Sequence, residues 1–182
     1  MQRRVDLAGR DATQWTDRHS AASRAGRQRL AITAGPDGRA RYSRAPHGLF
    51  PLVPPAGIDE ATRTTLRELL SSVTTFDFSL VATRWFADTV VWLAPDPDAP
   101  FRVLTQAVAD AFPAYPPYGG QFPDPVPHLT IADRGPPEAM HAAEQQLQRA
   151  LPIRSIAGSV TLLTELPTGR WDQTATFFLR PR

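Results

Sequence analysis

The feature that most restricts the fold of this chain is the stretch from Phe76 to Ala94. Phe76, Phe78, Leu80 and Ala82 alternate with other residues, the period of a strand that buries one face. Ala87-Asp88 then supplies a turn, and Val90 to Ala94 follows as a continuous apolar run. Two strands joined by so short a link pair as an antiparallel hairpin, because a parallel return needs a crossover of a dozen or more residues.

Helical spacing flanks this hairpin. Ile58, Thr62, Leu66, Leu69-Leu70 and Val73 recur on one helical face, with Asp59 as N-cap. Phe101, Leu104, Val108 and Ala111-Phe112 mark a second helix, with Asp98 as its cap and Pro100 in its first turn. Met140, Ala143, Leu147 and Leu151 mark a third, after Gly135-Pro136-Pro137. Two further strands are expected at about 156–165 and 173–180, the last alternating through Thr174, Thr176 and Phe178. The expected class is α+β, with antiparallel strands dominating and helices packed outside them.

Composition sets the outer bounds. A chain of 182 residues makes one compact domain, or two small lobes sharing a core. No stretch reaches the roughly 20 apolar residues that a membrane span needs. The chain has no cysteine, which removes disulfides and thiolate metal sites and suits a cytoplasmic setting. Its four histidines, at 19, 47, 128 and 141, show no metal-ligand spacing. There is no Gly-rich phosphate loop and no Ser nucleophile elbow. The 19 prolines mark frequent turns rather than a low-complexity tail.

The stretch Val126-Pro127-His128-Leu129-Thr130-Ile131-Ala132 carries the chemistry. On a strand, His128 and Thr130 project from one face while Leu129 and Ile131 project from the other. Burial of the apolar face would offer an imidazole and a hydroxyl on the open one. The hydroxyl can hydrogen-bond a phosphoryl oxygen, and the imidazole exchanges protons near neutral pH.

The chain from 49 to 182 resembles the two-histidine phosphoesterase superfamily, and within it the bacterial 2'-5' RNA ligase family proteins. The resemblance rests on the order and spacing of several pieces. These are Leu-Phe-Pro-Leu-Val-Pro-Pro at 49–55, Ile58-Asp59-Glu60, Phe76 to Leu80, Trp85-Phe86 and Val90 to Pro95. Tyr115-Pro116-Pro117-Tyr118-Gly119-Gly120, Pro127 to Ala132, and a late Gly169-Arg170-Trp171 complete the series. The resemblance implies two pseudo-symmetric lobes, each giving one His-x-Thr/Ser strand to a central cleft. One histidine would act as general base on a water or ribose hydroxyl, and the other would protonate the leaving oxygen. No metal or cofactor is implied. The expected partners are RNA ends or small cyclic nucleotides, bearing 2',3'-cyclic phosphates or 2'-5' phosphodiesters. A monomer without membrane attachment is expected.

The first of the two motifs departs from the family pattern. Counting back from Leu49 puts Ala45 in the histidine position and His47 in the hydroxyl position. His47 would lie about 6–7 Å further along a strand than the family's histidine, beyond the reach of about 3 Å that proton transfer needs. His128 and Thr130 are thus the expected catalytic pair, with His47 an ill-placed third candidate. Turnover is expected to be impaired, and the alternative is a non-catalytic module that binds nucleotide or RNA ends on the same fold.

Residues 1–47 stand apart from the domain expected over 48–182. Ten of the twenty arginines fall before residue 49, against four acids there, and the chain has no lysine. Two readings fit. One is a basic, disordered arm with salt-sensitive affinity for phosphates, in which Leu30-Ala31-Ile32 forms a short strand before the Gly35-Pro36-Asp37-Gly38 turn. The other is a GC-rich gene read out of frame, with a His-x-Thr encoded in the neighbouring frame immediately before Leu49. Sequencing that frame decides between them.

Other residues fit two roles each. Trp85, Trp92 and Trp171 fit core packing better than base stacking. Tyr118 lies in the Pro-rich approach to His128, where it would line the cleft or simply pack. Arg84 could clamp a phosphate bidentately or stand free at the surface. His141, among Ala and Glu on the third helix, is expected to face solvent.

Overall fold

The computed structural model describes residues 28–34, 58–166 and 171–182. Six strands form one sheet: β1 (Gln28–Ala34), β2 (Phe76–Phe86), β3 (Val90–Asp96), β4 (Leu129–Asp133), β5 (Ile153–Glu165) and β6 (Trp171–Phe178). Three helices accompany them: α1 (Glu60–Ser72), α2 (Ala99–Ala111) and α3 (Pro137–Gln148). The α+β class is as expected. The strand order is β1-β5-β2-β3-β4, with β6 also on β5, and all these pairings are antiparallel. At 13 residues, β5 is long enough to pair β2 through Ile153–Ala157 and β6 through Ser159–Glu165.

The expected hairpin forms as β2 and β3, from Phe86↔Val90 to Ser79↔Asp96. Its turn closes through Thr89 N–H donating to the Phe86 carbonyl at 3.3 Å, with Ala87 in the left-handed region at φ 49°. The patch at Leu30-Ala31-Ile32 does lie on a strand, β1, which pairs with β5 in continuous register from Gln28 to Thr33 and shifts by one residue at Ala34.

The core lies between the sheet and helices α1 and α2. Leu66 and Leu70 of α1 meet Phe101, Leu104 and Val108 of α2, with Phe78, Leu80, Val160, Leu162 and Phe177 from the sheet. Phe101 is fully buried and takes Phe76 and Phe78 edge-on, with both ring centroids at 4.9 Å. Edge-to-face packing aligns the positive ring edge with the negative face, so the three rings lock together.

The helix starts follow local chemistry, with one correction. Thr62 N–H donates to Asp59 Oδ1 at 2.8 Å, so Asp59 caps α1 as expected. Asp98 stands at the start of α2 but makes no side-chain cap. Its carboxylate accepts instead from Arg102 Nε at 2.8 Å, and Arg102 also holds Asp124 from the following loop. A guanidinium one turn along offers a charged donor that outcompetes a backbone N–H.

Ala45, His47 and the Leu49–Pro55 run lie outside the described residues. No helix among the described residues is long and apolar enough to cross a membrane.

Candidate functional site

Three strands place the site. On β2, Thr83 and Trp85 turn toward α3: Trp85 Nε1 donates to Glu144 Oε1 at 2.9 Å, and Thr83 Oγ1 at 3.2 Å. The alternate residues, Arg84 and Phe86, therefore face away from α3. Arg84 pairs with Trp92 on β3, and Trp92 pairs with Thr130 on β4. Directly paired residues share a face, so Arg84, Trp92 and Thr130 form one row across three strands, about 10 Å from end to end. His128, two residues before Thr130, joins this face just ahead of β4.

The imidazole of His128 is enclosed by aromatic rings. Phe86 meets it edge-on at 4.9 Å and 85°, and Trp92 at 5.8 Å and 62°. Phe86 and Trp92 stack on each other at 4.8 Å and 23°. His128 is only 8% exposed, whereas Leu129 is 41% exposed. The expected distribution, with the imidazole on an open face and the apolar face buried, is therefore reversed at these two residues. Among the described residues, β4 pairs with β3 alone. Ile131 does pack against the core, at a register shift where β4 holds one residue more than β3.

Burial determines the protonation state. His128 Nδ1 lies 2.7 Å from the Val126 carbonyl oxygen. A carbonyl only accepts, so Nδ1 carries the proton and Nε2 keeps its lone pair. Loss of hydration in the aromatic enclosure pushes the imidazole below its ordinary pKa of 6.5, partly offset by the bond to Val126. At neutral pH the ring is uncharged, in a single tautomer, with a basic nitrogen.

Two polar atoms stand out beside it. Among the described residues, Trp92 Nε1 and Thr130 Oγ1 are the buried side-chain nitrogen and oxygen atoms with no hydrogen-bond partner. Buried polar groups are normally paired, because an unmade bond costs the full desolvation of the group. Two such atoms on cross-strand neighbours, next to a fixed imidazole, form a cluster of unpartnered hydrogen-bonding groups.

The other expected residues are distributed around this row. Arg84 is exposed at its β2 end and has no ion-pair partner among the described residues. Tyr118 lies in a short 3-10 segment at φ 53°, edge-on to Phe122 at 5.5 Å. It is half-buried, on the approach to His128 in the chain. Trp85 packs against α3 and His141, at 4.9 Å from the His141 ring, so it belongs to the helix face. Exposed His141 brings Nδ1 to 3.5 Å from Glu144 Oε2. The candidate His47 lies outside the described residues. A shallow depression of about 570 Å³, lined by Asp77, Ser79, Asp96 and Arg154 among others, includes neither His128 nor Thr130. No group of three His, Cys, Asp or Glu able to hold a metal occurs among the described residues.

Trp92, expected to pack rather than stack on a base, packs here against His128 together with Phe86, to which the sequence alone assigns no role. Alternation along β2 and β3 puts them on strands, but only the register between β2, β3 and β4 shows that they enclose His128.

Fold and site define an α+β protein whose antiparallel sheet presents a His-x-Thr pair on the face turned away from α3. A family model for the 2'-5' RNA ligase superfamily matches residues 21–167, and the chain belongs to that superfamily. The match bears out the resemblance read from the sequence and reaches further toward the N-terminus than residue 49. It starts inside the basic segment and takes in β1. Among curated proteins, none matches this chain.

Proposed function

We propose that this chain acts on RNA ends carrying a 2',3'-cyclic phosphate or a 2'-5' phosphodiester, with His128 as the proton-transfer group and Thr130 as a phosphate ligand. The observation that carries this reading is the buried Thr130 hydroxyl, without a partner, two residues from an imidazole held in one tautomer. A phosphate oxygen would supply the acceptor that the hydroxyl lacks. In hydrolysis of a cyclic phosphate, water adds to phosphorus, one ribose P–O bond breaks, and the freed ribose oxygen takes up a proton. Nε2 of the neutral His128 is suited to removing the proton from that water.

A second group must protonate the leaving oxygen. Ala45 stands at the family's first histidine position and cannot do so, and His47 carries the other imidazole near it. Each such transfer contributes roughly 10²–10⁴-fold in rate. The chain is therefore proposed to be slower than a two-histidine enzyme by up to about that factor. Ala45 also supports a second reading, a module that binds RNA ends on the same fold without turning them over.

The test is hydrolysis of a 2',3'-cyclic nucleotide by the full chain, with His128→Ala and His47→Ala beside it. Turnover lost in both variants assigns an acid–base pair. Turnover lost in His128→Ala alone assigns His128 and removes His47. Binding of the nucleotide without turnover selects the second reading, and absence of both overturns the proposal.

A further inference from the structure

We infer that the indole N–H of Trp92 is itself a ligand of the bound phosphate, donating to a phosphoryl oxygen beside the Thr130 hydroxyl. The inference rests on the functional reading above and adds a residue that the His-x-Thr pattern does not contain.

An indole nitrogen can only donate, so a buried Trp92 Nε1–H without a partner lacks an acceptor and nothing else. Trp85 shows the ordinary outcome in this same chain, since its indole N–H donates to Glu144 Oε1 at 2.9 Å. Trp92 has no such carboxylate, carbonyl or hydroxyl among the described residues, although it is only 6% exposed.

The missing acceptor is localised by Thr130. The two residues are Cα partners across the β3–β4 ladder, which sets their Cβ atoms about 4.5–5.5 Å apart. Neither atom has a partner, and the two do not bond each other. Two oxygens of one phosphate, or one shared oxygen, can accept from both.

The indole is also fixed in place. Stacking on Phe86 at 4.8 Å sets its plane, and His128 closes against it at 5.8 Å. A donor held rigidly before its ligand arrives gives up little freedom on binding. The indole, hydroxyl and imidazole are all uncharged at neutral pH, so they would hold an oxyanion by hydrogen bonding rather than by charge. Arg84 stands at the far end of the same row, opposite Trp92.

The experiment follows the indole N–H resonances of the 15N-labelled full chain as adenosine 2'-monophosphate is added. Trp92→Phe assigns the Trp92 signal, since it removes the N–H and keeps an aromatic ring against Phe86. The expected result is a downfield shift of the Trp92 indole proton that saturates together with shifts at Thr130 and His128. Trp92→Phe is expected to raise the dissociation constant by about tenfold, the loss of one hydrogen bond to a charged group. Saturable shifts at Thr130 and His128 with an unmoved Trp92 indole would overturn the inference and leave the functional reading intact. If none of the three moves, both are overturned. If Trp92→Phe fails to fold, sequential backbone and indole assignment of the unsubstituted chain identifies the same signal.

Discussion

His128 Nδ1 sits 2.7 Å from the carbonyl oxygen of Val126, two residues before it in the chain. This local bond orients the ring, leaves Nε2 basic and keeps the uncharged form in place inside the Phe86–Trp92 enclosure. It ties the chemistry of the site to the stability of the fold.

That tie is visible in pH. The folded-state pKa of His128 lies below its ordinary 6.5, chiefly through burial. Between those two values the unfolded chain binds a proton that the folded chain does not, so stability falls as pH drops below about 6.5. Urea unfolding at about pH 7.5 and about pH 5.5 is expected to show a larger loss for the natural chain than for His128→Gln. Equal losses in the two proteins would mean that the imidazole is solvated.

Thr130→Val removes the unpartnered hydroxyl at nearly constant volume. Its expected effect on the free protein is a gain of about 1 kcal/mol, because a buried unsatisfied group is deleted. Nucleotide binding is expected to weaken about tenfold in the same variant. Thermal unfolding and a binding titration together check the pairing of these opposite signs. A loss of stability would show that the hydroxyl has a partner in the free protein.

Glu144 fastens α3 to β2. Its side chain is 18% exposed and accepts from Trp85 Nε1 and Thr83 Oγ1. The Trp85 bond is the main cause that holds the carboxyl below its ordinary 4.5. The contribution is therefore present above pH 4.5 and lost as pH falls through the lower folded value. Trp85→Phe is expected to cost about 1–2 kcal/mol near neutral pH. The same variant should move the Glu144 titration, followed by carboxyl 13C shifts, back up toward 4.5.

Phe101 joins α2 to β2 by two edge-on ring contacts at 4.9 Å. Phe101→Ala leaves a cavity in the centre of the core and is expected to cost about 3–5 kcal/mol. Denaturant unfolding measures it directly. A cost near 1 kcal/mol would mean that the neighbouring helices close the gap.

Much of this architecture is legible without coordinates. The β2–β3 hairpin follows from alternation, a two-residue turn signal and an apolar run, all of which are local. The three helices follow from apolar spacing, and the Asp59 cap from a short polar side chain three residues before the N–H it accepts from. Asp98 does stand at the N-cap of α2, but Arg102, one turn on, takes the carboxylate that would otherwise cap the backbone. The His-x-Thr motif is a sequence signature, and family membership rests on the order of such pieces along the chain.

Local elements, the family resemblance and the His-x-Thr pattern at His128 and Thr130 can all be read from residue order, because each depends on neighbours close in the chain. Which residues surround that pair depends on contacts between strands far apart in the chain. Alternation alone puts His128 and Thr130 on one face and implies that it is open. The antiparallel register brings Trp92 opposite Thr130 and Arg84 opposite Trp92. Aromatic stacking of Phe86 on Trp92 then closes over the imidazole, so His128 is buried and Leu129 exposed. Periodicity reports what a strand does to its own side chains. The environment of a side chain depends on strands distant in sequence, whose register is set by their packing together.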